Sequence, residues 1–258
     1  MGKILELDVS LLERLYAQDR PGMLKTMLDV QYRSPAELMA FPSKEFYEGK
    51  LKTGLADSME ILRVLSTSAF PWPYRQSDRR LIPTVFISCG SEEDMGGMSK
   101  SNVGQVELVQ YILPMLMKPK ETVNEVTPEA TEAVKERLAA MKITVLTPYT
   151  KQIQMLRQRL PSSISCSTVD SFQGRESDII IFSTVRSNAD GDIGFLDDAR
   201  RLNVMWTRAR LALIIVGDRQ TLNGNELWKR AINACTEVKI QPPQSQAQDT
   251  AATTSKRA

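Results

Sequence analysis

The sequence contains no histidine, and this absence excludes much of enzyme chemistry. Without an imidazole the chain has no Ser-His-Asp triad, no Cys-His pair and no histidine metal ligand. Its three cysteines lie far apart and form no C-x-x-C pair, so the sequence predicts neither a zinc site nor a disulfide framework. Cysteines of this kind are typical of an intracellular protein, of the cytoplasm or of the nucleus.

Long apolar runs are missing as well. No stretch approaches the roughly eighteen uninterrupted apolar residues of a membrane-spanning helix, and the N-terminus lacks the pattern of a secretory signal. The sequence therefore predicts no membrane partner. Basic and acidic residues nearly balance, 33 against 31, so with a net charge of +2 any nucleic-acid surface has to be a local basic patch.

Between about residues 84 and 236, short β-rich runs alternate with helical runs. Strands are predicted at 84–88, 143–147, 164–169, 178–186 and 211–216, and helices at 99–117 (broken near Pro114), 128–141, 150–160, 197–210 and 226–234. Such alternation predicts a parallel sheet covered on both faces, an α/β fold. Ligands of these sheets bind at the carboxyl ends of the strands, so the segments that follow the strands are the candidates for function.

The pattern changes on either side of this region. Residues 1–83 are predicted to form an irregular N-terminal extension, and residues 237–258 a disordered tail that is poor in core-forming side chains. Within the extension we predict a helix at 10–16, a short strand at 27–31, a helix at 35–46 interrupted at Pro42, and a loop over 66–83.

The segment VDSFQGRE (169–176) joins two predicted strands. Gly174 permits a tight backbone conformation or the close approach of a ligand. The carboxylate of Glu176 can accept hydrogen bonds from a ribose hydroxyl. Taken alone, the segment fits a polar turn between strands equally well.

The segment RRLNVMWTRAR (200–210) falls in the predicted helix over 197–210, with Asp197 as its N-cap. Its apolar residues share one face, and Arg201 and Arg208 are nearly eclipsed at the edge of that face. Two guanidinium groups in this position suit the recognition of a polyphosphate. Spacing alone favours the alternative, a solvated basic face. A third segment, LDVQYR (28–33), places Arg33 between a strand and a helix, where it could reach a phosphate.

Five blocks follow one another in order: LDVQYR (28–33), FPS (41–43), LTPYTKQ (146–152), VDSFQGRE (169–176) and RRLNVMWTRAR (200–210). This series resembles the second RecA-like domain of superfamily 1 helicases of the up-frameshift and senataxin type, from about residue 10 to 217. The resemblance implies a RecA-like parallel sheet. It also implies ATP and Mg²⁺ as cofactors, a first RecA-like domain as partner, and single-stranded RNA or DNA as substrate, along which relatives of this type move 5′ to 3′.

The resemblance also implies roles for individual residues. Arg33 is expected to reach the γ-phosphate and Arg208 to be the arginine finger, which makes both catalytic candidates. Gly174 and Glu176 are expected to face the nucleotide, with Glu176 on the ribose. Arg201 is expected to pack or to pair with an acid.

A second surface is implied for the nucleic acid. The resemblance places Thr147, Pro148 and Thr168 there, at strand ends beside the cleft. No metal-ligating residue is expected in this chain.

The sequence departs from the family pattern in ways that matter. After Arg33 the usual Met-His-Pro is replaced by SPA (34–36), and the usual Ala-Leu is replaced by Met205 and Trp206. No G-x-x-x-x-G-K-[ST] phosphate loop and no acidic Mg²⁺-binding block occurs, and the chain begins almost where a first domain should end.

The sequence therefore predicts the C-terminal half of an ATP-dependent helicase, which is not expected to hydrolyse ATP as this chain alone. The alternative is a stand-alone, catalytically silent module that binds nucleic acid or regulates a partner.

Overall fold

Six parallel strands form the central sheet of the computed structural model, which describes residues 9–18, 22, 24–55, 58–94, 96–97, 99–121, 128–240 and 242. The strands are β1 (Val30–Gln31), β2 (Lys52–Thr53), β3 (Thr84–Ser88), β4 (Ile143–Leu146), β5 (Ser165–Ser167), β6 (Ser177–Ser183), β7 (Ala209–Gly217) and β8 (Thr236–Glu237). The sheet has the order β5-β4-β6-β7-β3-β8, while β1 and β2 form a separate parallel pair. The predicted parallel α/β fold is confirmed.

Helices cover the sheet. They are α1 (Leu11–Ala17), α2 (Ala36–Phe46), α3 (Ser58–Ser66), α4 (Val103–Met117), α5 (Pro128–Ala140), α6 (Thr150–Arg159), α7 (Ala199–Trp206), α8 (Arg219–Asn223) and α9 (Glu226–Asn233). Several begin after an Asn or Asp whose side chain accepts a backbone N–H of the first turn, namely Asn102, Asp198, Asp218 and Asn225. None of the helices in the described ranges is long and apolar enough to cross a lipid bilayer.

Two buried apolar clusters lie on opposite faces of the sheet. Successive residues of β7 alternate between them: Ile214 packs in one cluster, and Leu213 and Ile215 pack in the other. Helices α3, α4 and α6 contribute to the first cluster, while α2, α7 and α9 contribute to the second. The central strands are buried on both faces, which explains their nearly continuous apolar sequences.

The sequence predicts that Pro42 and Pro114 interrupt their helices, but neither proline does. Pro42 lies inside α2 and Pro114 inside α4, and both helices continue past them. Each proline removes one backbone donor from its helix. Packing against the sheet offsets that loss, because both helices bury apolar side chains around the proline, such as Phe41 in α2 and Leu113 in α4.

The helix predicted over 197–210 is shorter than expected. It begins at Ala199, its N-cap is Asp198 rather than Asp197, and it ends at Trp206. The chain has to turn there because Ala209 already pairs with Ser177 in the sheet. Arg208 therefore lies beyond the helix, and the expectation that Arg201 and Arg208 are eclipsed on one helical face is wrong.

The predicted domain boundaries, after residues 83 and 236, lie in regions whose two sides pack into the same apolar clusters. Leu38 of α2 and Leu65 of α3 belong to the two clusters that also contain the strands, so both sides of residue 83 contribute to the same cores. The strand β8 straddles the predicted start of the tail, and Val238 and Ile240 pack against the first cluster. Residues 243–258 lie outside the described residues, where the tail stays a prediction.

Candidate functional site

Charged side chains from three parts of the chain meet at the amino ends of β6 and β7. Arg33 Nε lies 2.7 Å from Glu176 Oε2, and Arg33 Nη1 donates to the Thr207 carbonyl at 3.0 Å. On its other oxygen, Glu176 faces Arg210 Nε at 3.8 Å. Arg208 lies in the same cluster, since its charge interacts with those of Arg33 and Glu176.

The turn after β1 fixes the position of Arg33. The side-chain oxygen of Gln31 accepts the backbone N–H of Arg33 at 2.8 Å and that of Ser34 at 2.9 Å. The hydroxyl of Ser34 is fully buried and donates to the Ala209 carbonyl at 2.6 Å. Serine in place of the methionine usual for the family therefore ties this turn directly to the start of β7.

Arg208 is held by neutral acceptors. Its Nε donates to the Val204 carbonyl at 3.1 Å, and its Nη1 lies 3.5 Å from the Arg175 carbonyl. Within the described part of the chain, Arg208 forms no ion pair with a carboxylate. Burial lowers the pKa of the Arg208 guanidinium, and the nearby charge of Arg33 lowers it further.

The carboxylate of Glu176 forms ion pairs with arginine side chains and is not a free hydrogen-bond acceptor. The hydrogen bond from Arg33 lowers the pKa of the Glu176 carboxyl below its usual range, although burial opposes this effect. Gly174, two residues earlier, has φ of +83°, and nothing lies within 4 Å of the place where its Cβ would stand. The left-handed backbone, not the close approach of a protein neighbour, accounts for glycine at this turn.

This cluster lies at the opposite edge of the sheet from the one the sequence predicts. Ligands were expected at the carboxyl ends of the strands, but Arg33, Glu176 and Arg208 gather at the amino ends of β6 and β7. The reason is the path of segment 168–176, which leaves β5 at its carboxyl end and returns to the amino end of β6.

The residues predicted to face nucleic acid lie at the carboxyl edge. Pro148 and Thr168 line the same pocket of about 190 Å³. Thr147 is fully buried, and its hydroxyl lies 3.5 Å from the backbone nitrogen of Tyr149. The structure thus brings Pro148 and Thr168 together at the surface, whereas Thr147 shapes the turn from inside.

The expected pairing of Arg201 with an acid is confirmed. Its Nε and Nη2 donate to the two carboxylate oxygens of Asp170 at 3.0 and 3.1 Å. Arg201 and Asp170 both line the pocket beside Pro148 and Thr168. Arg201 is therefore separate from the cluster of Arg33 and Arg208.

A buried ion pair that no sequence motif indicates lies at the same carboxyl edge. Arg186 Nε lies 2.8 Å from Glu93 Oε2, with side-chain exposures of only 7% and 3%. Arg186 also pairs with Asp192 at 2.9 Å. The preceding residue, Val185, has φ of +69°, which is unusual for a β-branched residue. Glu93 and Arg186 lie in loops that follow β3 and β6, at the edge where the sequence predicts ligands, but no local motif links the two residues.

The six-stranded parallel sheet and the arginine cluster at one of its edges agree with the RecA-like domain that the sequence resembles. Residues 7–220 match the AAA_12 family, described as an AAA domain, and the chain belongs to this family.

Three relatives illustrate the match. The chain is 36% identical over 244 residues to the "Regulator of nonsense transcripts 1 homolog" of Drosophila melanogaster. The matched region covers 91% of this chain and 18% of the relative. It is 35% identical over 235 residues to "ATP-dependent helicase NAM7" of Saccharomyces cerevisiae, with 86% and 21% covered. It is 33% identical over 222 residues to "Helicase sen1" of Schizosaccharomyces pombe, with 83% and 12% covered.

The resemblance to the C-terminal RecA-like domain of up-frameshift and senataxin-type helicases is confirmed. The chain spans about a fifth or less of the length of these three relatives, between 12% and 21%.

Proposed function

We propose that this chain is the C-terminal half of an ATP-dependent helicase that acts on single-stranded RNA or DNA. Arg208 is its arginine finger, and Arg33 is a second contact to the γ-phosphate. ATP and Mg²⁺ bind in a cleft shared with a first RecA-like domain, supplied in cis or in trans. The free cysteines of the described chain suit an intracellular setting.

The observation that carries the proposal is Arg208, a half-buried guanidinium without an acidic partner in the described residues. It lies beside a second arginine, and burial and like charge both disfavour its cationic form. A bound polyanion would relieve both effects at once, because it compensates the desolvation and screens Arg33 from Arg208. Two adjacent guanidinium groups can also stabilise the negative charge that develops on a transferred phosphoryl group, so the pair is suited to a triphosphate ligand.

The chain's own residues perform three tasks in this proposal. Arg208 and Arg33 stabilise the charge that develops on the transferred phosphoryl oxygens. When the cleft closes, Glu176 moves from Arg33 to the ribose hydroxyls. The left-handed backbone of Gly174 forms the turn in the loop that carries Glu176. When bound, ATP would hold the cleft closed and supply the bond that is hydrolysed, and Mg²⁺ would be held by carboxylates of the other domain.

A chimera tests the arginine finger. We would join the first RecA-like domain of the yeast relative to this chain and compare the parent with Arg208→Ala. Hydrolysis stimulated by single-stranded RNA should fall by about 10³-fold or more, while ATP binding, measured by fluorescence titration, changes little.

The matched control is Arg230→Ala, an exposed arginine that pairs with Glu45 at 2.5 Å and not with the residues of the cluster. It should leave hydrolysis unchanged. If Arg208→Ala kept most of the parent's turnover, the arginine-finger role would be rejected. If the parent chimera bound RNA without any ATP turnover, the silent binding module would be favoured.

A further inference from the structure

Phe195 is a large apolar side chain whose exposure the proposed ATP site does not explain. It is 54% exposed and lies in the short 3₁₀ turn of Gly194–Asp197, before α7. Every other large apolar side chain exposed to a similar degree in the described ranges lies between Leu11 and Val103. Phe195 lines the same pocket as Pro148 and Thr168, and an exposed aromatic ring in that place can stack on a base of single-stranded nucleic acid.

The ring is held in place from behind. Phe195 lies 5.5 Å from the ring of Tyr149, between centroids, and its backbone nitrogen lies 3.4 Å from the Tyr149 hydroxyl. Tyr149 is almost fully buried. Gly194 packs so closely that a Cβ there would lie 2.1 Å from Arg186 Nη1. Only glycine allows this approach, and the approach fixes the turn that carries Phe195.

The support behind the turn contains a buried ion pair at the carboxyl edge of the sheet. Glu93 accepts hydrogen bonds from Arg186 and from the Ser187 N–H, both at 2.8 Å. A buried ion pair of this kind adds little net stability compared with apolar packing, and the positive φ of Val185 disfavours the fold locally. Such features persist where they position a functional group, and the group they position here is the turn of Phe195.

The pocket beside Phe195 has the chemistry of a base-binding site rather than a phosphate site. Phe195, Pro148 and Val169 provide apolar walls, and Thr168 provides a hydroxyl at the rim. The charge of Arg201 is neutralised by the bidentate carboxylate of Asp170, which would repel a phosphate. The guanidinium carbon of Arg201 lies 5.9 Å from the centroid of the Phe195 ring and covers part of it. A planar, uncharged ring can stack on the exposed part of Phe195 and present its polar edge to the hydroxyl and the ion pair.

We infer that Phe195 is a stacking platform for one base of a single-stranded nucleic acid, with the polar edge of that base in the pocket of Pro148 and Thr168. Tyr149, Arg186 and Glu93 act as positioning residues for the platform. The inference rests on the proposed function, because it needs the nucleic-acid substrate, and it names the residue that grips that substrate.

Fluorescence anisotropy with a labelled oligouridylate tests the platform, using the full chain alone and the same chain joined to a first RecA-like domain. Phe195→Ala should weaken binding about tenfold, as expected for the loss of one base stack. Phe195→Trp should bind as tightly as the parent, and Phe195→Leu should resemble Phe195→Ala. Because a stack is not ionic, the salt dependence of binding should be the same in Phe195→Ala and the parent.

The control is Tyr74→Ala, which removes another exposed aromatic ring, 42% exposed, from a different part of the surface. It should not change binding. Photocrosslinking to 5-iodouridine gives an independent readout, and the crosslinked peptide should contain Phe195. If the parent binds but Phe195→Ala binds equally well, the stacking inference is overturned and the proposed function stands. If neither form of the parent binds the oligonucleotide at high micromolar concentration in low salt, both fall.

Discussion

At the scale of single residues, the proposed nucleotide site combines one neutralised arginine with one that has no carboxylate partner among the residues that the structure describes. Arg33 shares the carboxylate of Glu176 with Arg210, whereas Arg208 is held by backbone carbonyls. Glu176 thus has two roles in the proposal: it neutralises Arg33 before nucleotide binds, and it accepts the ribose hydroxyls afterwards. The two roles differ in what they predict for stability and for substrate affinity.

Glu176→Gln separates these roles. Both Glu176 and Arg33 are partly exposed, so losing their ion pair should reduce the free energy of unfolding by at most about 1 kcal/mol. In the chimera, the KM for ATP should rise by about threefold to tenfold, because a neutral acceptor replaces a charged one at the ribose. Urea unfolding and steady-state kinetics measure the two effects. A KM equal to that of the parent would remove Glu176 from the nucleotide site.

At the scale of elements, the sequence predicts the sheet well and the ends of its helices poorly. The apolar strands are recognisable because burial on both faces makes their sequences continuous, as in β7. The end of α7 is not recognisable, because RRLNVMWTRAR has helical spacing throughout. Pairing of Ala209 with Ser177 decides where that helix stops, and this pairing joins residues that are distant in the sequence.

The candidate site could be predicted only in part for the same reason. Arg33, Glu176 and Arg208 are recognisable through the order of five blocks, since no local pattern links residues so far apart. The sequence also indicates Arg208 through its spacing from Arg201 on one helix, but Arg208 lies beyond the end of that helix. The Glu93–Arg186 pair involves side chains from two separate loops, so charge pattern along the chain carries no sign that they meet.

Those two loops provide a prediction about stability. Glu93→Gln leaves the guanidinium of Arg186 without its buried partner, so the free energy of unfolding at pH 7 should fall by about 3 kcal/mol or more. Asp192→Asn removes the partner at the surface, which is 67% exposed, and should cost less than about 1 kcal/mol. Denaturant unfolding of both variants measures the difference. Equal effects would mean that Glu93 is no more important to the fold than Asp192.

The pH dependence of the parent tests the same pair. Burial opposes ionisation of Glu93, but the hydrogen bonds from Arg186, Ser187 and Asn188 outweigh it and lower the pKa of this carboxyl. A carboxyl whose pKa is lowered by folding stabilises the protein fully above its unfolded pKa of about 4.3. That contribution is lost as the pH falls through the folded value. Glu93→Gln should therefore lose less stability than the parent below about pH 4.

At the scale of the whole molecule, the two proposed sites lie at opposite edges of the sheet. The arginine cluster lies at the amino ends of β6 and β7, and the pocket of Pro148 and Thr168 lies at the carboxyl ends of β4 and β5. Segment 168–176 joins the edges, because Thr168 lines the pocket and Glu176 contacts Arg33. In the proposed function, these nine residues would connect the nucleotide site at one edge with the nucleic-acid site at the other.

The last prediction is that the 258-residue chain alone does not turn over ATP. Arginines stabilise the transition state, but they do not replace the backbone amides and the lysine that cradle the phosphates, or the residues that bind Mg²⁺. These 258 residues contain no G-x-x-x-x-G-K-[ST] sequence that could supply them. With saturating single-stranded RNA, the purified chain should release phosphate no faster than buffer, and joining a first RecA-like domain should restore turnover. Phosphate release that follows the chain through purification, and that Arg208→Ala abolishes, would show instead that this sheet holds a triphosphate without the usual loop.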